Sequence, residues 1–105
     1  MPHQHPYPEL AALQDRTKEL PHLKQNVLMT YAILGGLEHP VERTGAELAE
    51  RIGVPAPHFS RTRRELVEDG WLEHTHSEGQ VKFFRLGEKA TGRQIVVPIH
   101  DRPTA

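Results

Sequence analysis

Apolar residues recur at helical spacing up to Gly70 and form strand-like runs after it. Leu10, Leu13 and Leu20 lie on roughly one side of a short helix predicted over residues 9–19, with Pro8 at its start and Pro21 beyond its end. Leu23, Val27, Tyr31, Leu34 and Leu37 make one apolar stripe and predict a first long helix over residues 22–37. Met29, Ala32 and Ile33 fall on its other side, beside Gly36. A helix apolar nearly all round is normally covered on both sides. The expected cover is the N-terminal helix or a second copy of the chain.

The next helix is predicted over residues 45–51. Thr44 and Glu47 match a capping box, Leu48 and Ile52 point to the core, and Gly53 suits a left-handed helix end. A third helix is predicted over 57–68, ending at Asp69-Gly70. Phe59, Leu66 and Val67 face the core, while Pro57, Arg61 and Arg64 project from the opposite side, flanked by Ser60 and Glu65. Pro57 is acceptable in a first helical turn, where its missing N–H would be unpaired anyway. Strands over 71–76 and 81–86, joined by Ser77, Glu78, Gly79 and Gln80, predict a hairpin. A short final helix is expected over 87–94. Ile95, Val96, Val97 and Ile99 then suit an edge strand or a partner contact. Residues 1–8 hold three prolines and two histidines and read as a mobile arm, and 101–105 as a tail. The whole is an expected α+β domain over residues 9–100, mainly α with a small β-ribbon.

A chain of 105 residues supports one modest core. It has no cysteine, so disulfides and thiolate metal sites are excluded. No segment has the apolar length of a membrane span, and the N-terminus lacks the regions of a signal peptide. The expectation is a cytoplasmic protein with no membrane partner. The formal net charge of −1 says little, but its distribution says more. Arg61, Arg63 and Arg64 cluster on one helix, Lys82, Arg85, Lys89 and Arg93 follow, and Glu38, Glu42, Glu47 and Glu50 precede them.

The run LAERIGVPAPHFSRTRRELVEDGWLE, a hairpin, and then VKFFRLGEKA resembles the winged helix-turn-helix of bacterial transcription regulators of the MarR and ArsR types. The resemblance spans residues 45–90, and reaches back to residue 23 if 22–37 is the usual first helix. It implies a helix-turn-helix over 45–69, a wing over 71–86, and a recognition helix, 57–68, that enters the DNA major groove. Three departures stand out. Pro55 replaces the usual Ser or Thr before the recognition helix, Arg63 replaces a common apolar residue, and the long C-terminal dimerisation helices of MarR-type proteins have no room. The first leaves uncapped N–H groups able to meet a phosphate.

The implied function is sequence-specific binding of double-stranded DNA by a homodimer joined through helix 22–37 and the N-terminal segment, as in a small transcription regulator or repressor. Arg61 and Arg64 are the expected base readers, against the alternative of a solvated face with pairs such as Arg61 to Glu65 or Glu68. Arg63 sits nearer the core edge, its stem covering apolar surface and its head directed at phosphate. Pro57, His58 and Ser60 lie where bases are usually met. Lys82 and Arg85 belong to the wing, whose acidic tip residue Glu78 weakens a minor-groove role and leaves a packing role open. Two alternatives stay open: a plasmid or phage replication, partition or excision protein, and a winged-helix protein-interaction module without DNA. No cofactor, metal site or enzymatic motif is expected. Eight histidines invite a metal site, and His74 and His76, two apart on a strand, would share a side, but no third ligand stands at partner spacing.

Overall fold

The computed structural model describes residues 7–92. The expected edge strand of Ile95, Val96, Val97 and Ile99, together with Arg93, His3 and His5, lies outside the described residues. Five helices and a two-stranded antiparallel sheet form an α+β arrangement: α1 (Tyr7–Arg16), α2 (His22–Tyr31), α3 (Gly45–Ile52), α4 (Ala56–Glu68), β1 (Leu72–Glu78), β2 (Val81–Leu86) and α5 (Glu88–Thr91). No helix among the described residues is long and apolar enough to cross a membrane.

The N-terminal helix ends three residues earlier than its leucine spacing predicts. Buried Thr17 follows directly, its hydroxyl donating to the Leu13 carbonyl at 2.8 Å, the same oxygen that accepts the Thr17 N–H at 3.0 Å. α2 is α-helical only to Tyr31, and then widens into a π-type segment, Ala32–Gly36, broken at Gly35 (φ 100°). Gly36 permits that break: a Cβ there would stand 2.7 Å from the Tyr31 carbonyl oxygen.

Val27, Leu28 and Tyr31 of α2 are buried with Leu13 of α1, Leu48 of α3, Phe59 and Leu66 of α4, and Leu72, Phe84 and Leu86 of the hairpin. α1 packs on α2 and supplies cover for its second side. That cover is incomplete, since Ile33 remains 58% exposed. Ile52 and Val67, expected in the core, are only partly buried against it.

α3 begins as its sequence predicts. Thr44 Oγ1 accepts from the Glu47 N–H at 3.1 Å, and the Glu47 carboxylate accepts from the Thr44 N–H at 2.8 Å. Gly53 closes the helix in the left-handed region (φ 90°). α4 follows directly and packs against α2, α3 and β1. Its first-turn proline is tolerated, and it ends at Asp69 with Gly70 at positive φ.

The hairpin turn is shorter than expected, because Ser77 and Glu78 belong to β1 and only Gly79 and Gln80 connect the strands. Val41, in the connection before α3, makes a single antiparallel bridge to Phe84 on the other side of β2. The expected final helix shortens to the single turn of α5.

One expectation about the hairpin is overturned. His74 pairs with Phe84 and His76 with Phe83, so Thr75 is an extra residue in β1. Facing partners share a side and neighbouring phenylalanines do not. His74 and His76 therefore lie on opposite faces. Their ring contacts agree: His74 is tilted against Phe84, and His76 is stacked on Phe83 at 4.8 Å. The Thr75 hydroxyl donates to the Phe83 carbonyl at 3.1 Å and fixes the bulge.

Candidate functional site

α4 is an amphipathic helix with three distinct sides. Phe59, Thr62 and Leu66 are buried. Pro57, His58, Ser60, Arg61 and Arg64 are exposed, as expected from their spacing. Ser60, Arg63, Arg64 and Val67, at positions i, i+3, i+4 and i+7, run along the flank of α4 that turns toward the hairpin, at the edge of the exposed side.

The exposed cations on α4 are not neutralised by their neighbours. Among the described residues no carboxylate pairs with Arg61, Arg63, Arg64 or Lys82. The anticipated alternative, a local pair from Arg61 to Glu65 or Glu68, is not formed; Glu65 instead meets Lys24 of α2 at 3.3 Å. The helix start is also open, for Pro55 is its N-cap and no side chain caps it.

Arg63 is held differently from its neighbours. Its guanidinium lies over the Phe84 ring, 4.3 Å from the centroid, and 5.3 Å from that of Phe59. Each such contact contributes about 0.5–2 kcal/mol, more as water is excluded. Nη1 is buried and has no hydrogen-bond partner. An enclosed guanidinium nitrogen without a close acceptor is unfavourable, and the ring faces and the neighbouring Tyr31 hydroxyl offset part of that cost. The guanidinium also stands beside buried Tyr31. Burial pushes that hydroxyl above its usual pKa, and Arg63 opposes the shift. Gly45 makes room on the other side, where a Cβ would come 3.3 Å from Nη1. The expectation put the stem on apolar surface with the head free for phosphate; here it is the guanidinium head itself that lies on the aromatic rings.

Arg63, Arg64 and Lys82 line one cleft of about 490 Å³ between α4, the start of α3 and the hairpin. Ser60, Thr44, Gln80 and His74 supply polar groups, while Phe84, Val67 and Val81 supply an apolar floor, and no carboxylate lines it. His74 is hydrogen-bonded to Ser77 at 3.0 Å. Thr44, Gly45, His74 and Gln80 were not anticipated as part of a site. The signal available was the spacing of Ser60, Arg63, Arg64 and Val67, which puts the four on one flank of the same helix.

The structure does not bring Arg85 to this cleft. It faces Glu73 across the hairpin, on the side away from Phe84, and donates from Nε to that carboxylate at 3.0 Å. Pro57, His58 and Arg61 belong to the outer face of α4 and not to the cleft lining. Among the described residues no group of three or more metal-ligating side chains converges.

No family model, no curated protein and no solved structure matches the chain.

Proposed function

We propose that this chain is a winged helix-turn-helix protein that binds double-stranded DNA in a sequence-specific manner and acts as a small homodimeric transcription regulator. One observation carries the reading. α4 presents a row of exposed, unpaired polar and cationic side chains, His58, Ser60, Arg61 and Arg64, beside exposed Pro57, while its opposite side is buried against α2, α3 and β1. A helix held that way by its neighbours can lie in the major groove with its N-terminal residues on base edges. The Val41 bridge, which adds a third strand segment to the hairpin, also supports the fold reading.

In this reading Arg61 and Arg64 read bases, each bidentate pair with guanine giving about 1–3 kcal/mol of discrimination. Lys82 contacts the backbone. Arg85, paired with Glu73, braces the hairpin and is given no DNA role. The dimer uses α2 with its π-type extension and α1, where exposed Ile33 borders an apolar notch with Leu10, Ala32 and Leu37.

Selection of bound duplexes from a random pool tests the reading. An enriched palindrome, lost in an Arg61→Ala/Arg64→Ala double variant, is the expected result. No enrichment, with binding of a protein partner that persists at high salt, would replace it with the interaction-module reading. The net charge of −1 and exposed Glu78 at the hairpin tip are what favour that second reading.

A further inference from the structure

The cleft beside α4 is more specific than a basic surface. Its three cations come from two elements, Arg63 and Arg64 from the helix and Lys82 from β2, and no carboxylate competes for them. Arg63 cannot act as a base reader from where it sits. Its guanidinium is stacked on Phe84, and Nη1 is enclosed near the start of α3. The cleft that Arg63 lines leaves the rest of this planar group as a fixed, preoriented donor. A guanidinium fork of this kind matches two oxygens of a phosphate, whereas an ammonium acts as a point charge.

We propose that the α4–hairpin cleft is a phosphate seat, with Arg63 as the central donor and Lys82 and the Ser60 hydroxyl around it, while Arg64 at its edge stays with the bases. The inference rests on the DNA-binding reading for its source of phosphate, a single phosphodiester of the backbone strand that passes between α4 and the hairpin. The volume of about 490 Å³ admits the phosphate with its flanking sugars. Seating it there fixes how far α4 enters the groove, and thereby sets the register in which Arg61 meets a base. Gly45 is part of the seat because a side chain there would push against the guanidinium.

The test uses the full chain and three variants: Arg63→Met, which keeps an apolar stem over Phe84, Arg63→Lys, which keeps charge without the fork, and exposed Lys82→Ala, which leaves the core untouched. Affinity is measured against salt on the selected duplex and on random duplex. A methylphosphonate then replaces each backbone phosphate in turn. The expected result for Arg63→Met is a loss on both duplexes, larger on the selected one because Arg61 loses its register, and a salt slope lower by up to about 0.9, one phosphate's worth. One methylphosphonate position should weaken the wild type strongly and Arg63→Met much less, Lys82 being the cation that remains there. Arg63→Lys should recover the slope and only part of the affinity. Lys82→Ala should lose binding at that same phosphate, a check that holds even if Arg63→Met melts early.

An unchanged slope in Arg63→Met and Lys82→Ala, with the wild-type methylphosphonate pattern, would overturn the seat and leave DNA binding standing. Inorganic phosphate, titrated with amide resonances of Gly45, Ser60 and Lys82 as the readout, separates the two ideas. Shifts that vanish in Arg63→Met, in a protein that binds no duplex, would keep the seat for a free phosphate and discard the DNA reading. No shift and no duplex binding would discard both.

Discussion

Thr44 and Glu47 show how much a single pair of side chains decides. Their reciprocal bonds satisfy two backbone N–H groups that a helix start otherwise leaves open. Thr44→Ala should lower stability by about 1 kcal/mol in chemical denaturation, and because Thr44 also lines the cleft, amide resonances of Gly45 should move. The Glu47 carboxyl is held below its ordinary value of 4.5, chiefly by the Thr44 backbone N–H and then by its hydroxyl. A lowered folded pKa stabilises the protein above the ordinary value, and that contribution is lost as pH falls through the folded one. Thermal melts should therefore show wild type losing ground to Glu47→Gln below pH 4.5; parallel melting curves would remove the charge from the cap. This pair was legible in the sequence because both partners lie within one helical turn. The stacking of Arg63 on Phe84 was not legible, since it joins residues 21 positions apart through the packing of α4 on the hairpin. Only its place at the core edge could be read.

At the scale of elements, helices α3 and α4 were legible almost to the residue, because a capping box, Gly53, a first-turn proline and Gly70 punctuate them. α2 was not, for nothing in its apolar spacing marks the change of pitch after Tyr31. That change depends on Gly35 and Gly36, where the backbone folds back on the Tyr31 carbonyl. Gly36→Ala should destabilise the protein by about 1–3 kcal/mol, as overpacking does, with an unchanged denaturant slope. A neutral result would mean that the kink relaxes without loss. The bulge at Thr75 was equally hidden. Strict alternation puts His74 and His76 together, and the slip at Thr75 shows only in how β1 pairs with β2.

For the molecule as a whole, the proposed DNA-binding role has to be squared with a net charge of −1. A local basic surface without a general positive field gives weak non-specific affinity, so specific contacts and a second copy must supply the rest. Two copies joined by α1 and the extended α2 would offer two α4 helices to half-sites about one DNA turn apart. Ile33→Lys should shift the protein toward a monomer in sedimentation and weaken binding to a palindrome far more than to a half-site, with little change in melting temperature. Equal losses on both, or an unchanged sedimentation coefficient, would place the dimer surface elsewhere. Composition revealed the charge balance, while the sorting of cations onto an outer face and into a cleft needed the tertiary structure.

β2 is bordered by Val41 on one side and by β1 on the other, so among the described residues β1 carries the sheet's outer rim. An open rim is a template on which another molecule's strand can grow, the first step toward fibres. Here that rim is a poor template. Thr75 interrupts its row of amides and carbonyls, and exposed Glu78 places negative charge at its end. The same slip in register that separates the two histidines thus guards the hairpin against runaway polymerisation when many copies crowd together.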